Sequence, residues 1–208
     1  GGGGVMRSPY LCDGPTILNV SLGRTSAYLL ARTLDAHDGV LPPDVHAVFA
    51  NTSEEIEATY DFGREIADRW GVDLRWIERN WTDPRGFVEV DYESASREGE
   101  VFDALIARKK FLPNPVMRFC TEELKIKPAA AFMRAQGYER WTSVVGLRYD
   151  EAPRVAKIRA RVNDEWDVAV PLYDDRKTVA DVRGTNPKLW NSWRSSIRRT
   201  CTMSRRRR

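Results

Sequence analysis

Cysteine and histidine are scarce in this sequence. Its three cysteines, Cys12, Cys120 and Cys201, lie far apart, and His37 and His46 are the only histidines. No C-x-x-C pair occurs, and three thiols cannot supply the four ligands of a cysteine zinc site or an iron–sulfur cluster. We therefore expect neither zinc nor an iron–sulfur cluster, and a reduced cytosolic thiol inventory. Long apolar runs are also missing. None approaches the ~18 residues that span a bilayer, and no secretory leader pattern follows Met6. The expectation is a cytoplasmic protein without a membrane partner. Neither G-x-x-x-x-G-K-[ST] nor G-x-G-x-x-G is found, which argues against a Walker loop and a dinucleotide fingerprint.

What is present suits one substantial domain. The 208 residues are 42% apolar and 30% charged, as in ordinary globular proteins. The net charge of +3 hides an asymmetry. From Lys188 onward there are eight Lys and Arg residues and no acid, which leaves −5 on the remainder. A local cluster of one sign, rather than the total, attracts a polyanion. Residues 1–15 read as an N-terminal extension, 16–183 as the folded domain, and 184–208 as a basic, poorly ordered tail.

The apolar run TILNV is a buried strand, followed by a helix opening at Thr25 or Ser26 and closing at Asp38-Gly39. HAVFANT is a second strand. A helix follows it with Ser53 as the expected N-cap and Glu54 to Glu57 in its positive first turn. VDLRWIE and RWTSVVG complete four strands. The βαβαβ alternation implies an α/β, Rossmann-like parallel sheet sandwiched by helices. WTDPRGFVEVDYESASREG reads as loop or lid. TEELKIKPAAAFMRAQG reads as two helical pieces meeting near Pro128. KIRARVNDEWDVAVPLY reads as a short antiparallel pair near the C-terminus, turning at Asn163-Asp164.

Between the first strand and its helix lies SLGRTS, residues 21–26. A turn from a strand's carboxyl end into a helix presents unpaired N–H groups and a positive dipole end. Small residues let an anion approach, and hydroxyls add donors. The stretch suits phosphate.

Together with FANTSEEIEATYDF, RFCTEELKIKP and VVGLRYDEAPRVAK, this turn resembles the phosphoadenosine phosphosulfate (PAPS) reductase family. That family belongs to the adenine nucleotide alpha hydrolase, or PP-loop ATP pyrophosphatase, superfamily with its HUP-type fold. The resemblance covers about residues 16 to 160, and is nearest to the small stand-alone versions of phages, plasmids and type IV CRISPR loci. It implies that Ser21, Gly23, Arg24, Thr25 and Ser26 surround phosphates. Leu22 replaces the first glycine of the family's SGGxTS loop, so it either keeps φ negative or strains the turn. Asn51, Thr52 and Ser53 stand where the family has D-T-G and read the nucleotide. Glu54 organises Mg²⁺ or the ribose, or merely satisfies a helix N-terminus. Lys125 is implied to neutralise transferred phosphates, with Lys127 beside it, although Lys125 also suits a pair with Glu122. Cys120 is a nucleophile or sulfur carrier, or inert packing. Gly146 permits close approach, and Arg148 and Arg154 suit bidentate phosphate contact. Asp150 or Glu151 holds Mg²⁺ or positions the arginines.

The family's reactive cysteine lies in an E-C-G-L-H segment, and the RTCTMSRRRR around Cys201 does not match it. Classical PAPS reduction is thus disfavoured. The resemblance implies an enzyme that binds ATP, cleaves its α–β phosphate bond and releases pyrophosphate, with an unidentified acceptor open to adenylylation. The alternative is a catalytically weak nucleotide-binding accessory of a mobile-element or CRISPR defence system, its tail contacting nucleic acid.

Overall fold

The computed structural model describes residues 7–113 and 119–184. The basic tail from Thr185, and Cys201 within it, lie outside the described residues. The strands are β1 (Thr16–Asn19), β2 (Val45–Asn51), β3 (Leu74–Arg79), β4 (Phe87–Val90), β5 (Trp141–Val145) and β6 (Trp166–Ala169). They form one sheet of order β4-β3-β2-β1-β5-β6. The β1–β5, β2–β3 and β5–β6 pairs are parallel, and β3–β4 is antiparallel. Helices flank it, as the alternation implied. Among the described residues no helix is long and apolar enough to cross a membrane.

The chain groups into two compact units. The first, within Gly1–His46 and Arg140–Thr185, holds β1, β5, β6 and the helix α1 (Arg24–Ala36). Ile17, Leu18, Leu29 and Leu30 are fully buried there. β1 is covered on both faces, so it reads as a continuous apolar run rather than an alternation. α1 ends where Asp38 and Gly39 turn left-handed and the Gly39 N–H closes on Leu34 O.

The second unit, within Ala47–Glu139 among the described residues, holds β3, β4 and most of β2. It also holds α2 (Glu57–Trp70), α3 (Glu100–Lys109), α4 (Phe119–Thr121) and α5 (Lys127–Ala135). Its centre is aromatic: Phe49 meets Trp76 edge-on at 5.1 Å, and Phe87 meets Phe132 at 5.9 Å.

Three sequence expectations are corrected. The antiparallel element is β4, inside the segment read as loop, and not a pair near the C-terminus. Asn80 Oδ1 accepts the Thr82 and Asp83 N–H groups, and Gly86 at φ 83° completes the turn that reverses the chain. Near the C-terminus, the PRVAKIR stretch is instead helix α6 (Ala152–Arg159). Lys-Ile-Arg-Ala-Arg alternates like a strand, but Pro153 opens a helix and Val155 and Ile158, one turn apart, meet the apolar cluster of Leu147 and Val170. A helical crossover makes β6 parallel to β5. The turn at Asn163 is real, since its Oδ1 accepts the Glu165 and Trp166 N–H groups, but it launches β6 rather than a hairpin. Finally, Ser53 does not cap α2. It is left-handed at φ 62°, and Ile56 occupies the N-cap position.

The two pieces expected around Pro128 are present. A π-helical segment, Glu122–Ile126, hands over to α5 at Lys127, placing Pro128 in the first turn of α5. There its missing N–H interrupts no helical ladder, and the wider π turn spares its ring a clash.

Candidate functional site

In the first unit, Asn19 ends β1 by donating from Nδ2 to Ser143 Oγ and Val144 O, both at 3.0 Å. This ties the strand tip to β5 where the turn begins. Leu22 is buried and left-handed at φ 55°. The position thus keeps the backbone a glycine would take, and pays in strain that its burial offsets. Gly23 is the N-cap of α1, and no side chain caps the helix. Ser26 is buried. Its hydroxyl donates to Gly23 O at 2.9 Å and accepts from the Ser21 N–H at 3.1 Å and the Ser21 hydroxyl at 3.2 Å. Ser26 therefore stitches the loop, while Ser21 stands exposed at its rim.

The first turn of α1 contains no acid. Half-buried Arg24 is its first residue, and Arg148 reaches it from the segment after β5, donating from Nη1 to Thr25 Oγ1 at 3.0 Å. Gly146 lies between; a Cβ there would meet Ser26 Cα at 3.6 Å, an ordinary contact. The Arg148 guanidinium thus sits where the helix dipole is already positive, an arrangement that favours an anion. Asp150 grips Arg148 through Nε and Nη2 at 3.1 and 3.2 Å. These hydrogen bonds hold the Asp150 carboxyl below the usual carboxylate range. Glu151 accepts the Arg148 backbone N–H at 3.1 Å and pairs with the side chains of Arg148 and exposed Arg154.

The second unit places the other candidates. Asn51 is wholly buried at the tip of β2, opposite Glu78 on β3. Its Nδ2 donates to Glu78 Oε1 at 2.7 Å and Ser96 O at 2.8 Å, and its Oδ1 accepts from the Ser53 N–H and the Tyr60 hydroxyl. Ser96 completes the network, giving Glu78 its N–H and its hydroxyl. Burial pushes the Tyr60 hydroxyl up to about 12. Sequence reasoning missed Glu78, Ser96 and Tyr60, because a buried carboxylate inside LRWIER carries no local signal. Ser53 turns its hydroxyl to α3, and Thr52 contributes its carbonyl to that hydroxyl. Glu54 is exposed, near Gly99.

Cys120 packs with Phe119 against Val101, Leu105 and Leu124. Lys127 pairs with Glu123 at 2.8 Å, as does Lys109 at 3.0 Å. Burial raises Glu123, but hydrogen bonds from Lys127 and Lys109 outweigh it and hold the carboxyl below its ordinary value. Lys125 is half-buried in the π segment, a geometry frequent at functional sites. Among the described residues, Lys125 makes no ion pair with Glu122, and no group of three or more His, Cys, Asp and Glu is placed to hold a metal.

This architecture, a mostly parallel six-stranded sheet flanked by helices, is the Rossmann-like fold of PAPS reductases. It is similar to the crystal structure of the phosphoadenylyl-sulfate (PAPS) reductase from Candida auris, a phosphate complex, with a TM-score of 0.55 over 86% of this chain and 78% of that one. At 16% identity the likeness is one of fold. In sequence the chain is 30% identical over 146 residues to the uncharacterized nin region protein ORF290 of Escherichia phage lambda. The match takes in 67% of this chain and half the length of that relative. No protein-family model matches the chain.

Proposed function

We propose that the protein binds an adenine nucleotide, ATP foremost, with its phosphates at the Ser21–Ser26 turn, and cleaves the α–β phosphate bond. The observation that carries this reading is Arg148 Nη1 on Thr25 Oγ1, a guanidinium docked on a helix N-terminus that no side chain caps. The first-turn N–H groups of α1, with Arg24 and Arg148, stabilise the charge that builds on the departing pyrophosphate. An acceptor oxygen attacks the α-phosphorus, the bond to the bridging oxygen breaks, and its electron pair leaves with pyrophosphate. The acceptor's proton passes to solvent. With water as acceptor the products are AMP and pyrophosphate. A divalent ion arrives with the phosphates, since magnesium is commonly held by phosphates and few protein ligands. No step is routed through it.

The test is incubation with ATP and Mg²⁺. AMP and pyrophosphate, lost in Arg148→Ala, are expected; ADP and phosphate, or no turnover, overturn the reading. The phage relative favours a second reading, a nucleotide-binding accessory of a mobile element whose tail contacts nucleic acid. Nucleotide binding without turnover, coupled to tail-dependent nucleic-acid binding, would select it. Sulfite release from PAPS with thioredoxin, lost in Cys201→Ser, would instead select a sulfonucleotide reductase.

A further inference from the structure

We propose that Asp150 is a positioning residue that aims the Arg148 guanidinium at the N-terminus of α1. This rests on the phosphate reading of the 21–26 turn. Arg148 is extended, at φ −85° and ψ 170°, just before the 3₁₀ turn Tyr149–Glu151. The turn is anchored by the Tyr149 N–H on Lys177 O at 2.8 Å. From there one end of the guanidinium, Nη1, reaches Thr25 Oγ1, while Asp150 Oδ1 and Oδ2 occupy Nε and Nη2 on the opposite edge. A guanidinium is planar, so a carboxylate on two of its nitrogens sets both the plane and the direction of the remaining donors.

The neighbouring acid closes the turn: Glu151 accepts the Arg148 N–H, pairs with Arg154 and lies 3.3 Å from Arg148 Nη1, while the two-point grip on Nε and Nη2 belongs to Asp150. Asp150 is committed mainly to Arg148; a backbone hydrogen bond from Val179 also contributes to keeping it ionised.

Charge and positioning predict opposite signs, which makes the proposal testable. Removing a negative charge beside an anion site tightens anion binding if electrostatics alone operate. Loss of aim weakens it. The experiment is calorimetric titration of the full chain with inorganic pyrophosphate, for the wild type, Asp150→Ala, Asp150→Asn, Arg148→Ala and the Asp150→Ala/Arg148→Ala double variant. We expect Asp150→Ala to weaken binding about tenfold, and the double variant to bind no worse than Arg148→Ala, because coupled residues are not additive. Asp150→Asn, with one acceptor left, should fall between and serves if the alanine variant unfolds. Equal or tighter binding in both Asp150 variants overturns the proposal, and so do additive losses, which would place the effect in the helix Val179–Gly184. A wild type that does not bind pyrophosphate, or an Arg148→Ala variant that binds as well, overturns the phosphate reading itself.

Discussion

Ser53 Oγ accepts the Val101 N–H at 2.9 Å and the Phe102 N–H at 3.4 Å, across 48 residues of chain. These are first-turn donors of α3, whose own N-cap, Gly99, has no side chain to offer and donates its N–H to Ser53 O at 3.0 Å. A residue at the β2 tip thus caps a helix far along the sequence. Ser53→Ala should cost about 1–2 kcal/mol, the worth of a helix cap. Ser53→Gly should cost less than alanine, since glycine accepts φ 62° without strain. Chemical denaturation of both variants checks the order; alanine milder than glycine would refute the capping role.

Leu22 and Gly23 make opposite demands. Leu22 is buried at φ 55°, so Leu22→Ala keeps the strain and loses the packing. We expect a loss of about 2–3 kcal/mol for alanine and about 1 kcal/mol less for Leu22→Gly, which relaxes the backbone. Gly23 has an ordinary φ of −90°, and an added Cβ meets only Ser21 Oγ at 3.6 Å. Gly23→Val should cost about 1 kcal/mol, the N-cap preference for glycine over valine, leave the fold intact and abolish ATP binding by blocking approach to the turn.

Glu123 gives a pH signature. Its folded carboxyl lies below the ordinary value because of Lys127 and Lys109. The stability it contributes is therefore present above the unfolded value and lost as pH falls through the folded one. Glu123→Gln should cost about 1 kcal/mol at pH 7. Below about pH 4 the difference from wild type should shrink towards zero, as the native carboxyl protonates. A difference that persists undiminished at pH 3 would contradict the ion-pair account.

The basic tail answers to salt. Its eight cations stand with Trp190 and Trp193, which suit stacking on bases. Engagement of about four to six phosphates would give a slope of roughly −3 to −5 in log K against log salt for single strands. Truncation after Pro187 should flatten that slope and leave an acidic body that repels nucleic acid. Equal binding by both forms, or none at low salt, would remove the tail from the reading.

The parallel strands themselves and the turn after β1 were legible because both are local, whereas the order β4-β3-β2-β1-β5-β6 is a tertiary outcome. TILNV, HAVFANT and RWTSVVG are apolar runs of strand length, and the small residues of SLGRTS interrupt one where a helix begins. The failures share a cause as well. FVEV became β4 because β3 offered an edge, with Phe87 buried against Phe132; PRVAKIR became helix because Val155 and Ile158, one turn apart, met the cluster of Leu147 and Val170. In each case the local pattern allowed two periods, and packing chose between them.

The same division holds for the site. Hydroxyls at a helix start marked Thr25 as an anion contact, and the family resemblance marked Arg148, whose guanidinium suits phosphate. That these two, 123 residues apart, share a hydrogen bond was decided by the β1–β5 pairing that brings their strand ends together. The backbone of the β2 tip is the expected nucleotide contact there; the side chain of Asn51, buried opposite Glu78, is committed to the protein interior. A polar group removed from water must find partners, and only the folded chain decides which are within reach.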